Sequence, residues 1–248
     1  MNLILEAFAW IFSPDRLSDT IPLPLLIGQH LFYTFVSVLI AAAIAVPLGY
    51  YIGHTGRGRG FAISLSGAAR AVPSFGLILL LVLVIGVTQK PLAAFTAFVL
   101  LAIPSILAGA YSGLEAIDRR VIDAAKAVGM TPWQVLIKVE IPLGLPLLIG
   151  GIRSASLQVV ATVVLAGYIG LGGLGLQIFK ALSLSRFDVM LGAAFVIVAL
   201  ALVLDALFAL LQHIVVPRGV SAGRAAEVRT SSRRRRSVMA AAIQQGKG

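Results

Sequence analysis

The sequence predicts an all-α protein that crosses a membrane several times, and three observations predict it. Apolar residues make up 59% of the 248 and charged residues only 12%, far from the roughly 45–50% and 25% of soluble domains. Uncharged stretches of about 20 residues, the length that spans a hydrocarbon core of ~30 Å, recur along the chain. Basic residues concentrate in alternate connections between those stretches, the bias that orients membrane proteins. Because lipid offers no hydrogen-bond partners to the backbone, each crossing must be a helix.

Residues 1–27 form an external or interfacial segment. Its first dozen residues are apolar but include Glu6, with no basic residue ahead of them and no small-residue cleavage pattern. They read as an interfacial helix, not a removable leader. Five core spans follow, at roughly 28–52, 61–88, 91–112, 146–168 and 189–212. The second is the longest and contains Pro73, and proline kinks or breaks a helix because it lacks an N–H. It reads as a kinked or broken helix or as two shorter elements, so a count of six stays open. Residues 28–216 make up the transmembrane domain. Residues 217–248, with four consecutive arginines at 233–236 among Ser, Ala and Gly, lack apolar periodicity and are expected to be a disordered basic tail.

One set of alternate connections carries fourteen Lys and Arg: Arg57, Arg59, Arg119, Arg120, Lys126, Lys138 and eight beyond residue 216. The other carries four, Arg16, Lys90, Lys180 and Arg186. This excess places the amino terminus outside and both segment 115–142 and the tail in the cytoplasm. The same distribution accounts for the net charge of +10 without a nucleic-acid partner. It leaves the tail weakly attracted to anionic lipid, at ~1 kcal/mol per basic residue near the surface. The chain has no cysteine, which excludes disulfides, thiolate metal sites and a Cys nucleophile.

Segment 115–142 is a polar, amphipathic hairpin between two apolar spans. Ile117, Val121, Ala124, Ala125 and Val128 recur at helical spacing, with Asp118, Arg119, Asp123 and Lys126 on the other positions. Gly129 suits the left-handed residue that closes a helix, and Thr131-Pro132 supplies an N-cap and a first-turn proline for the next. The second arm carries Trp133, Leu136 and Val139, and Pro142 is expected to end it before the next span. Periodicity alone would equally suit a helix pair resting on lipid.

The spacing adds more. The chain resembles the permease subunits of ATP-binding-cassette importers, whose cytoplasmic motif reads Glu-Ala-Ala, three residues, Gly, nine residues, Ile, one residue, Leu-Pro. Here Asp123, Ala124 and Ala125 are followed in register by Gly129 and then by Val139, Ile141 and Pro142. Asp for Glu, Val for Ile and Ile for Leu keep charge and apolar character. The resemblance implies a methionine-importer-like permease fold in a bacterial inner membrane. It also implies a hairpin that docks on a separate ATPase subunit, an external substrate-binding protein, and a second permease subunit, identical or paralogous. ATP and its magnesium would sit on the ATPase, leaving this chain without cofactor or metal.

Residues 28–219 further resemble the osmoprotectant branch, whose members carry glycine betaine, choline, carnitine and related solutes. The likeness rests on His30-Leu31 with Thr34, Pro47-Leu48-Gly49, Val72-Pro73-Ser74 and Tyr111-Ser112-Gly113-Leu114. It continues in the stretch from Leu145 to Arg153, in Gly170, Gly172, Gly173 and Gly175, and in Asp205 with Pro217-Arg218-Gly219. The glycine-rich run falls on the outer side after the fourth span, where it suits a turn or gate beside the path, though small residues also let any membrane helices pack closely.

Arg70, Arg153 and Asp205 lie within apolar spans, where a charge seeks a partner or water. At ~1.5 Å rise per residue, Arg70 and Asp205 are each about 12–14 Å from the cytoplasmic ends and Arg153 is shallower. Asp205 is therefore expected to pair with Arg70 or Arg153, as a helix lock or as a pair that breaks during transport. A quaternary ammonium substrate would favour aromatic faces, and Tyr33, Phe75, Phe95 and Phe98 lie within spans.

Rival functions lack parts. His30, His54 and His213 are scattered and are expected at interfaces, and the chain has no His-Glu-x-x-His, Gly-x-Ser-x-Gly or phosphate-loop sequence, which removes metal, serine and nucleotide hydrolysis by those routes. No repeat relates residues 28–112 to 146–212, against the repeated halves common in secondary transporters. The expectation is a transporter subunit that is not itself an enzyme.

Overall fold

The structure is a computed structural model that describes residues 2–14 and 21–215, apart from the side chains at 61, 65 and 68–70. Arg16, the Arg70 side chain, Pro217-Arg218-Gly219 and the basic tail lie outside the described residues. The described chain is helical: α1 (Leu3–Ile11), α2 (Leu23–Thr55), α3 (Arg59–Ala71), α4 (Ser74–Ile85), α5 (Lys90–Glu115), α6 (Arg119–Ala127), α7 (Pro132–Val135), α8 (Ile141–Ala166), α9 (Leu174–Ser183) and α10 (Phe187–Val215).

Among the described residues four helical segments are long and apolar enough to cross a membrane: Leu23–Thr55, Val87–Glu115, Pro132–Ala166 and Phe187–Val215. They cover four of the five expected spans. The remaining one, 61–88, is not a continuous crossing helix. It is α3 and α4, broken where Val72 and Pro73 take extended conformations, with ψ of 123° and 113°. The physical cause is local: Pro73 donates no hydrogen bond, and its ring pushes the preceding Val72 out of helical geometry. At 12 residues, α4 is about 18 Å long and cannot cross alone.

Pro142 also departs from expectation. It does not end the second hairpin arm but occupies the first turn of α8, where its missing N–H costs least. A π-helical turn, Leu136–Glu140, joins α7 to α8, so the arm and the span form one 35-residue rod. The wider turn accommodates the proline that would otherwise clash with the carbonyl four residues back.

The core is built on α5, with α2 against one side and α8 against another. Glycines set both distances. A Cβ on Gly109 would lie 2.7 Å from the Leu147 carbonyl, one on Gly113 would lie 2.7 Å from the Gly144 carbonyl, and one on Gly53 would lie 2.8 Å from Leu114 Cβ. Small-residue contacts of this kind let helices approach where lipid removes any hydrophobic drive. Phe98 and Ile106 fill the interior and are fully buried.

α1 is a helix, as expected, but it is docked: Phe8 stacks on Phe195 with centroids 5.4 Å apart. Trp10 is buried, and a Cβ on Gly192 would sit 2.5 Å from its ring. The outward faces of α2 and α10, including Leu39, Leu202, Leu207 and Ile214, are exposed apolar surface.

Candidate functional site

Segment 115–142 folds as a two-armed hairpin. α5 stops at Glu115, and Asp118 opens α6 by accepting a hydrogen bond from the Arg120 N–H at 2.9 Å, an N-cap that the apolar periodicity alone does not mark. α6 closes in a Schellman motif: the Gly129 N–H donates to Lys126 O at 2.9 Å and the Met130 N–H to Ala125 O at 3.2 Å. Gly129 takes the expected left-handed conformation, φ 86°. Thr131 then caps α7 in a reciprocal box, its N–H donating to Gln134 Oε1 at 2.9 Å and its Oγ1 accepting from the Gln134 N–H at 3.4 Å.

The hairpin brings the motif residues to one end of the bundle. Ala125 is buried on the inner side, Asp123 and Ala124 are exposed, and Val139, Ile141 and Pro142 are half-buried where the second arm enters α8. The apolar residues are not all covered: Val121 and Ile137 are exposed, Val128 is 77% and Trp133 68% exposed. Exposed apolar side chains on a polar hairpin suit contact with a partner protein or with lipid.

Behind the hairpin lies a cavity of about 560 Å³ whose lining includes Gly53, His54, Arg59, Glu115, Lys126 and Glu140. His54 Nδ1–H donates to Glu140 Oε2 at 2.6 Å, and Glu140 is only 4% exposed. Arg59 Nε lies 3.3 Å from Glu115 Oε1. Sequence reasoning left His54 at an interface and assigned Glu140 nothing. Its place inside the motif, between Val139 and Ile141, was the available signal.

The glycine-rich run, at the opposite end of α8, is a tight loop clamped to α2. Gly170, Gly172 and Gly173 have φ of 83°, 92° and 68°, conformations open to residues without a Cβ. Gly175 is helical, but a Cβ there would overlap the Val164 carbonyl, and one on Gly172 would overlap Gln29 Oε1. The Gly173 N–H donates to Gln29 Oε1 at 3.0 Å and the Tyr33 hydroxyl to Leu171 O at 2.9 Å. His30, also expected at an interface, is fully buried, its Nε2 bonded to Val160 O at 3.0 Å. His30 stood in the sequence only as part of the family likeness and Tyr33 only as an aromatic candidate, Gln29 had no assigned role, and none of these three long-range contacts was legible.

Of the intramembrane charges, Arg153 and Asp205 meet. Arg153 Nε and Nη2 donate to Asp205 Oδ1 and Oδ2 at 2.5 and 2.6 Å, a bidentate pair joining α8 to α10. Pro73 marks the α3–α4 break, remote in sequence from both. The aromatic candidates separate. Phe98 is fully buried in the core, Tyr33 packs on Phe95 at 5.3 Å, and Phe75 stands edge-on to Tyr168 at 5.1 Å. Tyr168 is 58% exposed and also meets Phe179 at 5.5 Å.

Residues 45–219 match the family model described as the binding-protein-dependent transport system inner membrane component. The carnitine transport permease protein OpuCB of Listeria monocytogenes is 33% identical over 196 residues, covering 79% of this chain and 89% of that protein. The glycine betaine/carnitine/choline transport system permease protein OpuCB of Bacillus subtilis is 30% identical over 193 residues, 78% of this chain and 88% of its own. The osmoprotectant import permease protein OsmW of Salmonella typhimurium is 36% identical over 198 residues, 77% and 91% of the two chains. In fold, a chain of the MetNI methionine ABC transporter in an inward-facing conformation superposes with a TM-score of 0.70 at 22% identity, covering 79% of this chain and 96% of that one.

Proposed function

The chain belongs to the family of binding-protein-dependent transport system inner membrane components, and on that premise we propose that it lines the path of an ATP-driven importer for a compatible solute such as glycine betaine, choline or carnitine. As a permease subunit it spans the membrane several times and is not itself an enzyme. In this reading a separate ATPase binds ATP and magnesium and grips the hairpin from the cytoplasm, with the amino terminus outside. An external binding protein delivers solute to the far face. A second permease chain, identical or paralogous, completes the path, because one thin bundle cannot enclose a solute-sized cavity by itself.

The observation that carries the reading is the hairpin: a corner fixed by Gly129 and Thr131, with Val128 and Trp133 left uncovered. Asp123, Ala124, Ala125, Gly129, Val139, Ile141 and Pro142 make up the coupling element. Gly170, Gly172, Gly173 and Gly175 are the gate side of the path, with Arg70, Pro73, Arg153 and Asp205 on the helices that would move. The substrate class rests on the names of the relatives, several of which carry quaternary amines. Reconstituting the chain in vesicles with its ATPase and binding protein, then measuring ATP-driven uptake of glycine betaine, choline, carnitine and proline, tests it. Uptake by the lone chain, driven by an ion gradient, would refute it.

A further inference from the structure

Both roots of the hairpin carry a glutamate, and both glutamates reach the same tight turn. Glu115 ends α5 just before the first arm, and Glu140 ends the π-helical turn just after the second. Their partners, His54 and Arg59, flank the turn between α2 and α3, where Gly56 and Gly58 take φ of 71° and 83°. The two contacts are unequal. Arg59 is 63% exposed in its side chain, and such pairs contribute little. Glu140 is buried and its carboxylate meets His54 at 2.6 Å, and a buried charge that loses its partner is strongly destabilised. The buried contact also sits on the one stretch of the rod whose helical hydrogen bonding is shifted, and π turns inside α-helices concentrate at functional places.

We propose that His54 and Glu140 are positioning residues that pin the pivot of the coupling hairpin to the inner end of α2, so that movement of the arms is passed to α2 and, through the 55–58 turn, to the broken α3–α4 segment. The pair is a fixed fulcrum that stays closed as the arms tilt. Without it, the π turn absorbs the motion of the second arm before it reaches the membrane helices. This rests on the importer reading given above.

The test uses the assembled complex of this chain, its ATPase and its binding protein in vesicles, with two readouts: solute taken up per ATP hydrolysed, and stimulation of hydrolysis by the binding protein. The double variant His54→Ala/Glu140→Ala removes the contact without leaving a buried unpaired carboxylate. It is expected to bind the ATPase and hydrolyse ATP at the wild-type basal rate while both readouts fall at least about fivefold. Glu140→Gln still accepts from His54 Nδ1–H and is expected to stay within about twofold of wild type. Wild-type coupling in the double variant overturns the fulcrum, as does equal loss in Glu140→Gln. A wild-type complex stimulated by its binding protein but importing no quaternary amine refutes the substrate class instead, and the fulcrum is then judged on stimulation alone.

Discussion

Arg153 holds Asp205 through two parallel hydrogen bonds, Nε to Oδ1 and Nη2 to Oδ2, and so ties α8 to α10 inside apolar surroundings. A second tie lies close by, where Gln212 Nε2 donates to Pro146 O at 3.2 Å. Around them Leu204 is buried while Leu202, Val203 and Leu207 are exposed, so these polar ties add to apolar packing in fixing the rotation of α10 about its own axis. Asp205→Asn leaves a guanidinium in the membrane facing a neutral group. It is expected to lower the yield of folded chain in detergent and to remove most ATP-driven uptake. The swapped form Arg153→Asp/Asp205→Arg should recover part of the yield. Wild-type yield and uptake from Asp205→Asn would show the pair to be idle.

The hairpin corner depends on backbone conformation and not on space, since nothing lies within 4 Å of a Cβ built on Gly129. Gly129→Val at φ 86° should cost about 1–2 kcal/mol, the penalty of a left-handed residue with a Cβ. Gly129→Asn should be milder, because Asn tolerates that region. Thr131→Ala, which empties the cap, should cost about 1 kcal/mol. Co-purification of the ATPase in increasing urea ranks the three, and an equal effect of Val and Asn would remove the conformational account.

The corner was readable because its causes are local: Gly129, Thr131 and Pro132 act on their own turns. The break at Pro73 was readable for the same reason, though not whether it kinked the span or divided it. Pro142 misled because the same rule was applied without the π turn that makes room for it. Asp205 had two candidate partners on depth alone, and only packing selected Arg153. Contacts such as His54 with Glu140, 86 residues apart, and Gln29 with Gly173, 144 apart, had no local signature. The apolar pattern says which helices enter lipid but not which faces meet.

Glycines separate in the same way, by what surrounds them. Gly175→Ala would drive a methyl group into the Val164 carbonyl. Backbone cannot retreat as a side chain does, so the expected loss is at the upper end of the ~1–3 kcal/mol of overpacking, or beyond it. Gly150→Ala meets nothing within 4 Å and lies inside α8, where Ala gains about 0.5–1 kcal/mol over Gly. Thermal unfolding in detergent should therefore move in opposite directions for two identical exchanges in one chain. A shift of the same sign in both would mean that the loop does not return onto α8 as described.

Trp133 is the largest side chain left bare on the hairpin, and it lies on the arm that continues through the π turn into α8. If the ATPase groove receives this face, the indole becomes a buried anchor. Trp133→Ala should then weaken association by about 2 kcal/mol or more, as truncating a central aromatic does, or roughly 30-fold in Kd. The isolated chain should keep its thermal stability, because the ring is exposed before the partner arrives. Binding of purified ATPase to the chain in lipid nanodiscs measures the first, and unfolding of the chain alone measures the second. Unchanged affinity with Trp133→Ala would move the docking face to another side of the hairpin. Loss of both together would place the ring in the chain's own packing.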